Sequence, residues 1–429
     1  VSIIDASSTL RSVDSAADTP SKLMVFIPDR LSDLARKGEI IDRYYNPGDL
    51  FDEVHILPTN NDVVNLDWVQ KTVGSARVFV HNHPLPSYRA TLGWRPLFLR
   101  KWLAEGVRLA ERIGPCLLRT HGNYVNGLLA ATVKKQLGTP MVTSLHTHPD
   151  VDLRGVVPWR QLGARLFCES LTGFERATLQ AADVVLPVYK SIVPYAERYA
   201  KGRVRIAYNF VNPTHIQTKT DYSARKPVRI VSVGRQFEQK NPENIIRALK
   251  HLGASLTLIG DGPIHARLVE IARTEGVTDR VTFVRSMAND DVCRKLPEFD
   301  LFAVHIDSFG ISKAIIEALL TGLPVVVNRR HSEPVHELEG DWVHLIENTP
   351  EGYAEGLQHL ISDESARQTL GKEARSTAWK RYSPIACENR FARIYCDLVP
   401  GLTPPPLPES IPDCGTEAPR SHTIIDQQE

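Results

Sequence analysis

The chain has 429 residues, too long for one ordinary hydrophobic core and a suitable length for two or three domains. Its 42% hydrophobic and 24% charged content is that of a soluble globular protein, which excludes a fibrous or wholly disordered chain. Lys and Arg total 51 against 50 Asp and Glu, so a formal net charge of +1 excludes a global pull toward nucleic acid or an anionic membrane and leaves room only for a local basic cleft.

Residues 1–21 are rich in Ser, Asp and Ala and read as a loose segment. They lack the basic start and apolar block of a secretory signal, and no apolar run approaches the roughly 20 residues that span a bilayer. The six cysteines show no CxxC or paired spacing. They read as reduced thiols of a cytoplasmic protein, against a disulfide framework or zinc site.

From residue 22, short β-branched apolar runs alternate with helical patterns. The expected strands of the first half are Leu23–Pro28, Glu53–Leu57, Val78–His81, Cys116–Thr120, Met141–Leu145, Val184–Pro187 and a last short one at Arg205–Tyr208. Helices fall between them, among them Leu97–Ile113, Gly127–Leu137 and Leu162–Ala182. Residues 212–227 are polar, aperiodic and carry two prolines, the pattern of a linker. Strands then recur at Val228–Val233, Ser255–Ile259, Val281–Val284, Leu301–Val304 and Pro324–Asn328. Helices at Pro242–Leu252, Ile264–Glu275 and Lys313–Thr321 separate them. Buried-type strands joined by helices imply parallel sheets with right-handed crossovers. The fold class is therefore α/β, with two Rossmann-like doubly wound domains, 22–211 and 228–381, facing each other across a cleft. Residues 401–429 are Pro-rich and read as a disordered tail.

Three stretches of the second half carry chemistry. In VRIVSVGRQFEQKNPENIIRAL a strand ends at Gly234, and a loop holds Arg235 and Lys240 before Asn241-Pro242-Glu243 opens a helix. Two cations on a strand-to-helix loop lie where open α/β sheets bind ligands, and such a pair suits a diphosphate. A solvated basic loop is the plain alternative. The turn Gly260-Asp261-Gly262-Pro263 is, taken alone, a tight strand-to-helix turn. In LFAVHIDSFGISKAIIEALLTGLPVVVNRR a loop with Gly310 and Ile311 leads to a helix start near Ser312, with Glu317 on its second turn. The free amides and dipole of that start favour an anion. A carboxylate one turn in suits a ribose diol, and a solvated glutamate is again the alternative.

In order and spacing together, GRQFEQK, LIGDGP, VTFVRSM, EALLTGLPVVV and Ser332-Glu333-Pro334 resemble the retaining glycosyltransferases of family 4, which have the GT-B fold. Weaker similarity reaches back through THGNYVNGLLAATVKKQLGTPMVTSLHTH and FERATLQAADVVLPVY, and forward to SPIACENRFARIYCDLV. The resemblance implies that this last stretch, within 382–400, is a helix crossing back to the first domain. It also implies a nucleotide-diphosphate sugar donor, UDP-linked by default, as co-substrate, with no cofactor and no metal required. Arg235 and Lys240 would hold the diphosphate and Glu317 the ribose, while the backbone at Arg285–Met287 would touch the base. His146 would face the transferred sugar and acceptor, with His121 beside it. Gly234, Asp307, Phe309, Gly310, Ile311 and Ser312 complete the donor side. The acceptor would be a small molecule, a glycan or a lipid-linked molecule, and nucleic acid is not an expected partner.

The chain departs from the family where a first acidic residue precedes the conserved-type glutamate, since Phe309 stands eight residues before Glu317. Asp307 is the candidate replacement, with two residues inserted. The Gly-Gly loop after the first strand is also missing; Arg30 and Lys37 are candidate substitutes for anion binding there, with solvated charges the simpler reading. His81 with His83 and His146 with His148 have metal-ligand spacing, but both pairs follow strands, where acceptor-contacting or structural histidines also gather. His148-Pro149-Asp150 resembles the metal-binding start of some zinc-dependent sugar deacetylases but lies about 120 residues beyond the opening strand it would follow, and Asp150-Val151-Asp152, which matches the acidic pair of metal-dependent glycosyltransferases of another fold, leaves the Arg235-to-Glu317 series unexplained. Gly-x-Ser-x-Gly, the Walker loop and GxGxxG are absent. Two rival functions keep the same fold: a noncatalytic sugar-nucleotide-binding subunit of a glycosylation assembly, and a nucleotide-sugar epimerase.

Overall fold

In the computed structural model the described residues are 20–36, 40–88, 91, 94, 96–146, 148, 162–209, 211, 215–307, 310–330 and 334–406. Most of both expected loose ends, together with Lys37, Pro149, Asp150, Val151, Asp152, Phe309, Ser332 and Glu333, lie outside them.

Two parallel sheets form among these residues. The first contains β1 (Lys22–Ile27), β2 (Glu53–Pro58), β3 (Arg77–Val80), β4 (Leu117–His121), β5 (Met141–Leu145), β6 (Val184–Pro187) and β7 (Arg203–Val204), in the order β3-β2-β1-β4-β5-β6-β7. The second contains β8 (Val228–Val233), β9 (Ala254–Ile259), β10 (Val281–Val284), β11 (Leu301–Val304), β12 (Val325–Asn328) and β13 (His344–Ile346), in the order β10-β9-β8-β11-β12-β13. Helices α1 (Leu31–Arg36), α2 (Leu66–Lys71), α3 (Pro96–Ile113), α4 (Val125–Leu137), α5 (Leu162–Ala181) and α6 (Val193–Tyr199) connect the first series. The second uses α7 (Glu243–Ala248), α8 (His265–Thr274), α9 (Asn289–Lys295), α10 (Lys313–Thr321) and α11 (Pro350–Ser362), followed by α12 (Glu364–Tyr382) and α13 (Pro384–Cys396).

Both sheets are doubly wound, and each reverses its strand order once, between β1 and β4 and between β8 and β11. The carboxyl ends of those strands are where open α/β sheets take ligands. Every residue of β4, β5, β6, β11 and β12 is buried, as expected of strands covered on both faces.

Two expectations need correction, and one strand was not expected. The strand expected at Arg205–Tyr208 ends instead at Val204. The amides of Arg205 and Ala207 still donate to the carbonyls of Val185 and Pro187 at 3.0 Å, but no further strand flanks them. The helix expected at 242–252 is α7, which begins after an uncapped Pro242 and is tailed by a 3-10 turn at Leu249–His251. Asn241 bonds the Glu243 amide at 3.0 Å in a local turn. Strand β13 was not foreseen, since three residues are too short for a period to show.

The aperiodic segment from 215 to 227 holds no helix or strand and is strapped along the second sheet's helices. The Tyr222 hydroxyl donates to the Gly322 carbonyl at 2.9 Å, and the Lys219 ammonium donates to that of Phe299 at 2.7 Å. Helix α13 returns to the first half. Its Glu388 carboxylate accepts from the Arg43 guanidinium at 2.5 and 2.9 Å and from the Gly48 amide at 2.8 Å. One apolar cluster consequently runs from Val25 and Ile56 through Phe391 and Tyr395 of α13 to Val304 and Leu319.

Candidate functional site at the facing sheet edges

At the carboxyl end of β8 the chain turns at Gly234, whose amide donates to Ile259 at 3.0 Å. Gln236 then clamps the loop against the next turn. Its backbone amide donates to the Asp261 carbonyl at 3.0 Å, its side-chain amide donates to Gly260 at 2.7 Å, and its side-chain oxygen lies 2.7 Å from His265 Nδ1. Gly260 has φ +136°, and a Cβ there would overlap the Gly234 carbonyl oxygen. One at Gly262 would overlap that of Gln236. The GDGP turn is thus the backing against which the cationic loop is held.

Lys240 ends a 3-10 turn (Glu238–Lys240) and lines a narrow cleft with Gly234, His305 and Ser312. Arg235 is exposed beside it, its guanidinium 5.6 Å from the Phe237 ring centroid. Neither cation has a carboxylate within ion-pair distance among the described residues. Burial, and then the Arg235 charge, pull the Lys240 pKa below its ordinary value. The pair is electrostatically uncompensated, the condition an incoming anion relieves.

Across this cleft α10 begins. Ser312 caps it by accepting from the Ile315 amide at 3.4 Å, and Ile311 before it is buried. Gly310 lies so close to the Tyr189 ring of the first half that a Cβ would overlap it. Glu317, one turn in, is 3% exposed and accepts from the Asn289 side chain at 2.9 Å. Burial raises its pKa, opposed by that bond and by the Lys313 charge. Asp307 lies in the loop that follows β11, beyond His305 and Ile306, its amide donating to the Gln239 carbonyl at 2.9 Å. Its carboxylate is exposed and lies 3.3 Å from the buried guanidinium of Arg330. Arg285 is exposed after β10, two strands from β8, and pairs with Asp261 at 3.3 Å, while Met287 is half-buried.

On the facing sheet, His121 ends β4 and His146 follows β5, their ring centroids 6.0 Å apart in a stacked arrangement. A cavity of about 400 Å³ opens before them, lined also by Asn123, Asn209 and Lys313, so that α10 of the second half closes it. Beneath lies Arg119, 2% exposed, donating to Ser144 Oγ at 2.5 Å and stacked 5.1 Å from the Phe391 ring of α13. Burial, followed by this buried charge, lowers the pKa of both histidines, that of His146 to about 4. Both rings are therefore neutral at physiological pH. His121 Nε2 and Asn123 Nδ2 are buried with no hydrogen-bond partner, an unmet demand at the cavity wall.

His81, His83 and His148, the other histidines weighed from the sequence, stay out. His81 is hydrogen-bonded to His55 at 3.0 Å, His83 stacks on Trp102 at 4.7 Å, and His148 packs against Tyr195. Among the described residues no group of three or more His, Cys, Asp or Glu could hold a metal ion, and no helix is long and apolar enough to cross a membrane. Sequence reasoning missed His305, Asn289, Arg330 and Lys313. His305 was available from the rule that strand ends face ligands, since it directly follows β11. Its Nδ1 accepts from the Asn241 amide at 2.9 Å. The other three are recognisable only by what they touch.

Known proteins are similar to this chain in sequence and in fold. The family model described as "Glycosyl transferases group 1" matches residues 218–377, and that described as "Glycosyltransferase Family 4" matches residues 53–215. The N-acetyl-alpha-D-glucosaminyl L-malate synthase of Bacillus anthracis is 23% identical over 307 residues, covering 68% of this chain and 77% of its own length. A sulfoquinovosyl transferase of Arabidopsis thaliana is 24% identical over 352 residues, covering 77% and 64%. Among solved structures, HepE of Anabaena in complex with UDP has a TM-score of 0.64 at 17% identity, covering 88% of this chain and all of its own. The lipopolysaccharide outer core galactosyltransferase WaaB in its apo form also scores 0.64, at 15% identity and the same coverage.

Proposed function

The chain belongs to the family 4 glycosyltransferases of GT-B fold, and from that membership we propose that it is a retaining, metal-independent enzyme using a nucleotide-diphosphate sugar, UDP-linked by default. The observation that carries this reading is the pair Arg235 and Lys240, uncompensated by any described carboxylate, facing the capped start of α10 at the strand-order reversal of the second sheet. The diphosphate lies there, with the fork of Arg235 at the mouth and Lys240 as the half-buried point charge. Glu317, held by Asn289, accepts from the ribose hydroxyls, and Arg285 to Met287 border the base.

The acceptor hydroxyl enters the cavity before His121 and His146 and attacks the anomeric carbon on the face the leaving group departs from. As that carbon–oxygen bond breaks, the leaving phosphate oxygen takes the hydroxyl proton, and the two cations with the α10 amides stabilise the departing charge. Neutral His146 offers hydrogen bonding to sugar or acceptor without adding a charge that would oppose an oxocarbenium-like centre. Closing the two halves excludes water and limits donor hydrolysis.

Arg235→Ala and Lys240→Ala should each lower kcat/KM by at least ~10²-fold, the usual loss for an oxyanion-type donor. Near-normal turnover in both removes the diphosphate role. Asp307→Ala, which also removes one partner of Arg330, should alter discrimination among hexose donors more than affinity for the nucleotide itself. Equal donor profiles in the two proteins remove Asp307 from sugar recognition. A thermal-shift screen with UDP-, GDP- and dTDP-sugars identifies the base, since a ligand of the native state raises Tm. An interconverted sugar in place of transfer or hydrolysis places the chain with the epimerases. Binding without any turnover makes it a noncatalytic subunit.

A further inference from the structure

Glu337 lines neither the donor cleft nor the acceptor cavity, yet it is 0% exposed. It sits on a 3-10 turn (His336–Leu338) between β12 and β13, in the second half of the chain. Its partner belongs to the first half. Glu337 Oε1 accepts from the Lys190 backbone amide at 2.6 Å, while Oε2 is buried with no hydrogen-bond partner among the described residues. Lys190 opens a 3-10 turn (Lys190–Ile192) that follows β6, so its amide has no acceptor inside its own turn. Burial raises the pKa of the Glu337 carboxyl, opposed by that bond. Burial, followed by the Glu337 charge, raises the pKa of Tyr208 to about 12, and the Tyr208 ring packs 4.9 Å from that of Tyr382 at the end of α12. The carboxyl group thus stands where the first half meets the last helices. Burying such a group is unfavourable and one hydrogen bond offsets only part of the cost, so core stability is a poor account of its presence.

The bond holds a turn with two other attachments. Tyr189, directly before Lys190, lies with its ring against Gly310, where an added Cβ would stand 2.4 Å from Tyr189 Cδ2. Gly310 leads through Ile311 and Ser312 into α10. Val188, one residue further back, donates its amide to the Leu145 carbonyl at 3.1 Å, and His146 follows Leu145. Three consecutive residues, Val188, Tyr189 and Lys190, therefore join the strand end that carries His146, the loop that opens α10, and Glu337. Lys313, on the first turn of α10, lines the cavity before His146, so the turn borders the gap between the two.

We propose that Glu337 is a positioning residue for sugar transfer, an inference that rests on the reading of the site as a glycosyltransferase centre. Its hold on the Lys190 amide seats Tyr189 on Gly310 and so sets the start of α10 at its working distance from His146. The sugar passes across that gap, with the departing diphosphate on one side and the acceptor on the other. A misplacement of about 1 Å there can cost on the order of 10²-fold in rate. The nucleotide itself is held by the second half and does not depend on this bond.

Hydrogen exchange, donor turnover and nucleotide affinity of the full chain test the proposal together. The donor probe is the UDP-, GDP- or dTDP-sugar that raises Tm most, with water as its acceptor, and the matching nucleoside diphosphate serves for affinity. Glu337→Ala should speed exchange of the Lys190 amide and lower kcat on the order of 10²-fold, with affinity for the nucleoside diphosphate unchanged. Glu337→Gln, which keeps a side-chain oxygen of the same reach, should restore slow exchange and most of kcat. Tyr189→Ala leaves the buried carboxyl in place and should lower kcat alike. Combined with Glu337→Ala it should add little, since both act through one contact. A purely structural role would lower Tm and leave kcat of the folded protein as it was. That result, failure of Glu337→Gln to restore turnover, additive losses in the double variant, or an equal loss of affinity and kcat overturns the proposal. Should Glu337→Ala fail to fold, the other two variants decide: reduced kcat in Tyr189→Ala beside near-parent turnover in Glu337→Gln supports it, and any other pairing overturns it. A parent protein that turns over no nucleotide-sugar overturns the reading of the site and the proposal with it, whereas turnover that Glu337→Ala leaves unchanged overturns the proposal alone.

Discussion

Lys240, His121 and His146 are all held away from their ordinary protonation behaviour by burial, with a nearby guanidinium adding to the effect. For His146 the consequence can be measured. Its pKa falls from 6.5 to about 4 in the folded protein, so between those values the unfolded chain binds the extra proton and the folded chain does not. The stability held by neutral His146 is fully present above pH 6.5 and is lost as pH falls toward 4. His146→Gln should therefore show a shallower decline in unfolding free energy across that window, by about 2 kcal/mol once partial exposure is allowed for. Comparing the two proteins cancels Glu317, whose raised pKa acts in the opposite sense. Parallel curves would show that His146 is not shielded. That Arg235 and Lys240 stand on a strand-to-helix loop at the sheet's carboxyl edge was readable from the sequence. The neutrality of the histidines was not, because it depends on Arg119 being buried beneath them, and a sequence does not state which strand residues point inward together.

At the scale of elements, most strand and helix positions follow from runs of buried side chains and from the residues that stop them. Helix α10 begins after Ser312 and ends at Gly322, as capping chemistry dictates. The GDGP turn looked unremarkable alone, yet it fixes the cationic loop. Gly260 adopts φ +136° with the Gly234 carbonyl against it, so a side chain there meets both backbone strain and overlap. Gly260→Ala should destabilise the fold by about 2–3 kcal/mol and weaken nucleotide-sugar binding along with it. Chemical denaturation and donor titration check both, and an unchanged donor affinity would show that the turn does not set the loop. The short β13 and the early end of β7 were illegible for a common reason: two or three residues carry no period, and only a neighbouring strand decides whether they pair.

At the scale of the whole molecule, α13 connects the two halves. Glu388 gathers the Arg43 guanidinium and the Gly48 amide, and Asp397 lies 3.1 Å from Arg205. Glu388→Ala leaves those donors unmatched at a half-buried seam and should cost about 2 kcal/mol, as for a hydrogen-bonded charge. It should also loosen closure, raising donor hydrolysis relative to transfer; no change in that ratio would confine Glu388 to stability. The alternation of strands and helices, the two-sheet α/β class and the order of the cationic loop, GDGP turn and Glu317 were determined by sequence alone, because buried periodicity and turn chemistry are local properties. Tertiary structure alone decided that His121 and His146 stack, that Lys313 closes their cavity from the other half, and that Arg330 holds Asp307. Each of these is a distance between residues far apart in the chain, set by strand register and the packing of two sheets, which no local pattern encodes.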